Sequence, residues 1–334
     1  MSDWRDELSD DERERLEPAD PPEWIAPMLA TLTDKRFSDP GWIYERKLDG
    51  ERLLAFRNGS DVKLLTRNRK NAAATYPELI EALERQPVDD FVIDGEAVAF
   101  DGKVSSFSRL QQRMQVDDAQ KARDSDVAVY FYVFDLPHLE GHSLDKLPLR
   151  TRKTLLKTLF DFDDTFRFTP HRNEDGEGYF EQACEKGWEG VIAKRADSAY
   201  RHSRSRDWLK FKCGHGQELV IGGFTEPQGE RVGFGALLVG VYEDDELRYA
   251  GKVGTGYDDD FLADFRERLD ELATDDCPFA ETPSESGATW VEPKYVGEFG
   301  FTEWTDDGKL RHPRFLGLRR DKNPTDVVRE APDG

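Results

Sequence analysis

Short apolar runs bounded by turn-forming residues recur along almost the whole chain, and none approaches the length of a membrane span. Runs over 43–48, 53–57 and 62–65 are separated by Asp49-Gly50 and Asn58-Gly59, the signature of consecutive antiparallel strands. Further strands are expected over 91–100, interrupted at Asp94-Gly95-Glu96, and over 127–136, 190–194 and 208–212. Helical spacing follows Pro77 over 77–85 and recurs over 107–114, 150–160 and 178–186. Such a chain must build antiparallel sheets covered by short helices.

The texture changes near 214–216. Strands are expected over 219–224, 236–242, 247–253, 290–293 and 295–301, with one amphipathic helix over 258–272. Five short strands and a helix in roughly 110 residues fit an OB-fold barrel. The fold class is therefore α+β. It divides into an acidic flexible tail over 1–24, a first domain over 25–214 and an OB-fold domain over 215–330.

Charge narrows the function. The chain carries a net charge of −22, which disfavours general affinity for nucleic acid. Its cations are clustered, however. Lys194, Arg195, Arg201, Arg204, Arg206, Lys210 and Lys212 fall within one short stretch, and Arg311, Arg314, Arg319, Arg320 and Lys322 within another. Positive islands in a negative protein point to a local anionic ligand. The acidic excess itself reads as adaptation to a salt-rich interior. The first twenty residues hold nine acids and three arginines and resemble no targeting signal, so a soluble, cytoplasmic protein is expected. Cys184, Cys213 and Cys277 form no CxxC pair, which excludes a zinc ribbon and leads to the expectation of three reduced thiols.

The sharpest chemistry lies in Glu45-Arg46-Lys47-Leu48-Asp49-Gly50-Glu51-Arg52. A lysine closing an apolar strand, followed by a tight turn and an arginine, places one amine at a rim. An ordinary lysine is almost fully protonated at neutral pH. It attacks an electrophile only where neighbouring cations or desolvation favour the free amine. Lys210, Lys212 and a bound metal ion are the candidates for that influence.

This octapeptide heads an ordered series. Leu65-Thr66-Arg67-Asn68, Asp94-Gly95-Glu96, Tyr132-Val133-Phe134-Asp135, Glu189-Gly190-Val191-Ile192-Ala193-Lys194 and Trp208-Leu209-Lys210-Phe211-Lys212 follow in turn, and Arg319-Arg320-Asp321-Lys322 lies near the end. The series resembles the covalent nucleotidyltransferases, and most of all the ATP-dependent DNA ligases of bacterial and archaeal end joining. The resemblance runs from about Ile25 to Pro324. One departure is Arg69, which stands where the family's arginine turn has glycine.

The resemblance implies a nucleotidyltransferase domain of ATP-grasp-like antiparallel sheets with helices, followed by the OB fold. It implies Lys47 as the nucleophile that becomes adenylated, with Lys210 and Lys212 at the α-phosphate. Glu45, Arg52, Arg67, Glu96, Phe134 and Lys194 would bind the nucleotide, Phe134 by stacking on adenine and Glu45 by accepting from its amino group. Glu96 and Glu189 would hold magnesium, or manganese in its place. Arg319, Asp321 and Lys322, on a mobile OB domain, would orient pyrophosphate. His202 and His312 have no catalytic part in this chemistry. The expected substrate is nicked duplex DNA and the expected state a monomer. With only about 24 residues ahead of the resemblance, Ku-like, polymerase and phosphoesterase partners would be separate chains. The alternatives are an RNA ligase or capping-type guanylyltransferase, and a non-catalytic OB-fold binder of nucleic acid. The absence of zinc cysteines disfavours an NAD-dependent ligase.

Overall fold

The computed structural model describes residues 3–114, 116–227, 229 and 231–330. The chain divides between Cys213 and Gly214 into two compact units, each with its own core. No helix among the described residues is long and apolar enough to cross a membrane.

The first unit is built on two sheets. A seven-stranded sheet is centred on Tyr130–Leu139, flanked by Asp90–Val98 and, beyond it, Glu51–Asn58 and Asp61–Thr66. Its main core lies against helices Pro77–Glu84 and Leu149–Leu159, through Leu79, Leu83, Leu155 and Leu156. The second sheet has five strands, ordered His171–Asn173, Trp42–Lys47, Gly190–Arg195, Arg204–Lys212 and Leu29–Leu32. Strand side chains alternate between faces. Tyr44, Val191, Ala193 and Phe211 therefore share one face, where Tyr179 and Ala183 of helix Gly176–Glu185 bury them. The opposite face carries Glu45 and Lys47, Ile192 and Lys194, and Lys210 and Lys212, in the register that pairs Lys47 with Gly190 and Gly190 with Lys212.

Three local expectations change, and one departure from the family is accounted for. The acidic segment is docked rather than free. Trp4 and Leu8 are buried in the main core, Trp4 Nε1 donates to Glu140 at 2.8 Å, and Glu17–Pro18 pairs with His142–Ser143. A few apolar side chains thus outweigh the polarity of their surroundings. Asp94-Gly95-Glu96 does not interrupt its strand. The ladder to Glu51–Asn58 runs unbroken, and the irregularity falls only on the side of Tyr130–Leu139. The arginine turn is made without glycine: Arg69 itself takes φ 63°, and its guanidinium lies 5.2 Å from the ring of Trp24. Finally, Cys184 and Cys213 form a disulfide, while Cys277 is free. Helix Gly176–Glu185 lies on the sheet, and this brings the two residues to a Cα separation of 5.2 Å. Sequence distance hides that proximity.

The second unit has the OB fold. Its six-stranded antiparallel sheet contains Glu246–Val253, Leu237–Glu243, His215–Thr225 and Ala288–Phe301, the last pairing also with Ala273–Thr274 and Arg314–Leu318. Helix Asp259–Asp270 contributes Leu262, Phe265 and Leu269 to the core. The two strands expected over 290–293 and 295–301 are one continuous strand, Ala288–Phe301. Pro293, which has no N–H for the ladder, falls in the irregular stretch between Trp290 and Tyr295.

Candidate active site

Lys47 ends its strand at the rim of the five-stranded sheet. Gly50, three residues on, lies against the neighbouring sheet so closely that a Cβ there would meet the carbonyl oxygen of Ala97 at 2.2 Å. Asp49 anchors the same turn by accepting from the N–H of Phe107 at 3.0 Å. Gly190, paired with Lys47, has φ 152°, and a Cβ would meet the carbonyl oxygen of Phe211 at 1.9 Å. These two glycines let three backbones crowd together, and the crowding brings the side chain of Glu189 onto the ammonium of Lys47.

The electrostatics of Lys47 follow from its neighbours. Burial, the largest single influence, pushes its pKa down and Lys212 pushes the same way, but the carboxylates of Glu189 and, more weakly, Asp49 push it up, and the net shift is upward. The expected depression by nearby cations is therefore overruled by neighbouring anions, Glu189 foremost. Lys210 shares the face of Lys212, one strand row further in, opposite Ile192.

Deeper on this face lies a buried charge cluster. Glu45 is 2% exposed. One of its oxygens lies 2.6 Å from Lys153 Nζ and the other 2.6 Å from Lys194 Nζ. Burial pushes the Glu45 carboxyl up, but the two lysines hold it below the usual range. Burial pushes Lys194 down to about 8. Burial, with repulsion from Lys153, pushes His171 down to about 4.

The seven-stranded sheet supplies the facing wall. Arg52 and Glu96 are cross-strand partners, with Tyr132 next in the row. Arg52 is tied to Asp94 through two contacts of 2.5 Å, and Tyr200 donates to the same carboxylate at 2.6 Å. Its guanidinium lies 4.5 Å from the ring centre of Phe134, and the ammonium of Lys194 lies 4.1 Å from it. Phe134 is thus largely buried under two cations, and a stacking base would have to displace at least one. Arg67 follows the strand whose Thr66 opposes Leu53, so it stands level with Arg52.

The sequence-derived residues therefore separate into groups. Lys47 and Glu189 meet directly, with Lys212 near enough to act on Lys47 electrostatically, and Glu45, Lys194, Phe134 and Arg52 form a chain of contacts. Arg319 and Lys322 belong to the second unit. There Arg319 is bound to Asp321 at 2.9 and 2.8 Å, and Lys322 to Glu218 at 2.7 Å. Sequence reasoning missed Lys153, Asp94, Tyr200 and His171. Lys153 did leave a signal. Leu149, Arg152, Lys153 and Leu156 follow the apolar period of their helix, and two cations on that stripe require buried anions, here Asp135 and Glu45. Among the described residues no three His, Cys, Asp or Glu side chains converge as a metal cluster.

Comparison with known proteins gives the same picture. A family model described as the ATP dependent DNA ligase domain matches residues 27–212, and one described as the ATP dependent DNA ligase C terminal region matches residues 230–322. The chain is 40% identical over 322 residues to the multifunctional non-homologous end joining protein LigD of Pseudomonas aeruginosa, covering 94% of this chain and 37% of that one. It is 39% identical over 315 residues to the corresponding end joining DNA repair protein of Mycobacterium tuberculosis, covering 92% of this chain and 40% of the relative. It thus spans about two fifths of the length of these curated relatives. Among solved structures, mycobacterial DNA ligase D complexed with ATP and MES aligns with TM-score 0.65 and 37% identity, over 92% of this chain and 98% of that one. With a rim lysine between two glycine-crowded strands, and with both domains matched, this chain belongs to the ATP-dependent DNA ligase family.

Proposed function

We propose that the protein seals nicks in duplex DNA through an adenylate carried on Lys47, and that it serves DNA end joining. The observation that carries this reading is the placement of Lys47 against Glu189 and in one strand row with Lys212, on a sheet face that continues to Lys210, Lys194 and Glu45. The Lys47 amine attacks the α-phosphorus of ATP and pyrophosphate leaves. AMP then passes from Lys47 to the 5′-phosphate of the nick. The 3′-hydroxyl attacks that activated phosphate and releases AMP. Positioning and charge neutralisation carry such phosphoryl transfers. Lys210 and Lys212 suit the α-phosphate, Arg52 and Arg67 the ribose or acceptor phosphate, and Phe134 the base.

Glu96 and Glu189 suit magnesium, a hard ion that takes few protein oxygens and keeps several waters. Glu189 already holds a cation, the ammonium of Lys47, and this supports its fitness for another. When bound, the metal would neutralise charge on the phosphoryl oxygens. Manganese has the same donor preference. The names of the similar proteins support end joining as the setting. On the family resemblance we take Ku-like, polymerase and phosphoesterase proteins as its partners. We further read the chain as a cytoplasmic monomer adapted to high salt, on the strength of its −22 charge.

Incubation with ATP and magnesium, followed by intact mass and peptide mapping, tests the central step. One AMP on Lys47 is expected. Lys47→Ala should abolish it yet still seal a nick that already carries AMP. Adenylate on another residue, or equal sealing of RNA nicks, would replace this reading.

A further inference from the structure

Lys153 stands behind the sheet face just described, and the two lysines that share Glu45 are held differently. The Lys153 ammonium also donates to the carbonyl oxygen of Thr169 at 3.1 Å and lies 4.6 Å from the ring centre of Phe168. It is itself only 2% exposed. The Lys194 ammonium instead lies 4.1 Å from Phe134 and 4.0 Å from Trp208, against the ring on which a base would stack. Lys153 is an anchor, whereas Lys194 occupies contested space. Two more polar atoms beside the cluster, Thr169 Oγ1 and His171 Nδ1, are buried without a hydrogen-bond partner. Buried polar groups are normally satisfied, so unmet ones grouped together point to a polar ligand edge.

We infer that Lys153 is a positioning residue that sets the choice of nucleobase. It grips one oxygen of Glu45 from behind, so that once a base displaces Lys194 the other oxygen accepts from the exocyclic amino group of a 6-aminopurine. The inference rests on the reading of the Lys47 face as the nucleotide site. A carboxylate kept charged by Lys153 can only accept. Adenine offers a donor at its 6-position. Guanine offers a carbonyl there, and two facing acceptors would leave both buried and unsatisfied. Without Lys153, Glu45 has Lys194 as its one close cation, and the base must compete with that lysine for the carboxylate.

The test is lysyl-nucleotidylation of the full chain with ATP, GTP and purine riboside triphosphate, which lacks the 6-amino group. The wild type should show a KM for ATP lower than for either analogue by about tenfold or more, the scale of one lost charged hydrogen bond. Lys153→Met should raise the KM for ATP by about tenfold or more with kcat within about threefold, and should shrink the ATP preference toward one. Lys153→Arg should restore most of that preference. A preference unchanged in Lys153→Met, or rates falling equally for all nucleotides along with Tm, would overturn the inference in favour of a purely structural lysine. If Lys153→Met does not fold, Lys153→Gln takes its place. The wild type decides without any substitution, since equal KM values for ATP and the purine analogue would also overturn the inference. Absence of any adenylate on wild-type Lys47 would instead defeat the underlying reading of the site.

Discussion

The ammonium of Lys47 rests on the carboxylate of Glu189, the residue immediately before the glycine that pairs with Lys47 across the sheet. The lysine proposed as nucleophile is therefore stored as a protonated ion pair. Its pKa is raised above the ordinary lysine value, so the pair stabilises the fold throughout neutral pH and is lost only as pH rises through that raised value. Replacing Glu189 with glutamine removes the main influence that raises it and leaves only the weaker pull of Asp49 against burial and Lys212, which both lower it. In the nucleotide-free protein, Glu189→Gln should make Lys47 more reactive toward an amine-acylating reagent at neutral pH. Competitive labelling read by peptide mass spectrometry measures this. Unchanged labelling would show that Glu189 does not control the proton.

Arg319 and Lys322 should behave differently from each other. Arg319, its side chain 11% exposed, pairs with the buried Asp321, and truncating one member of such a pair leaves a buried carboxylate uncompensated at a cost of about 3–5 kcal/mol. Arg319→Ala should therefore lower the stability of the second unit by roughly that amount. Lys322 is partly exposed on Glu218, and Lys322→Ala should cost about 1 kcal/mol or less. Denaturant titration separates the two. If either residue orients pyrophosphate, its loss should slow lysine adenylation far more than sealing of pre-adenylated DNA. Equal loss in both steps would indicate contact with DNA instead.

The disulfide joins residues 29 apart in sequence. Closing a loop of that length should contribute about 3.5 kcal/mol through the unfolded chain. Cys184→Ser should lose most of this, and a thiol reductant should have no further effect on the variant. Non-reducing peptide mapping should find Cys184 bonded to Cys213 and Cys277 free.

Salt should favour this protein where it weakens an ordinary DNA-binding enzyme. Its 69 acids against 47 bases repel until screened. Thermal stability and nick sealing should both rise from low salt toward molar potassium chloride. With about eight phosphate contacts, log K falls with a slope of roughly −7 against log salt, so binding must then rely on shape and apolar contact. An optimum below about 0.2 M, the ordinary regime for such proteins, would reject salt adaptation.

Much of this architecture was legible in the order of residues alone. Alternation and turn pairs located most strands to within a few positions, because backbone pairing and a two-residue period are local properties. Lys47, Glu189, Lys210 and Lys212 could be picked out because they sit in ordered segments that resemble the family's, and the register then sets Lys47, Lys210 and Lys212 on one face. Other features depended on contacts between distant segments. The burial of Trp4, the pairing of Cys184 with Cys213, and the continuity of Ala288–Phe301 through Pro293 each require partners that no local window contains. The same holds for charge. Sequence marked Lys47 as a nucleophile and Arg319 as a phosphate ligand, but only the tertiary structure sets Glu189 on the one and Asp321 on the other. A residue's chemical type is written in the chain. Its protonation and its partner are decided by which buried group the fold brings within a few ångströms, where low dielectric makes a single neighbour decisive.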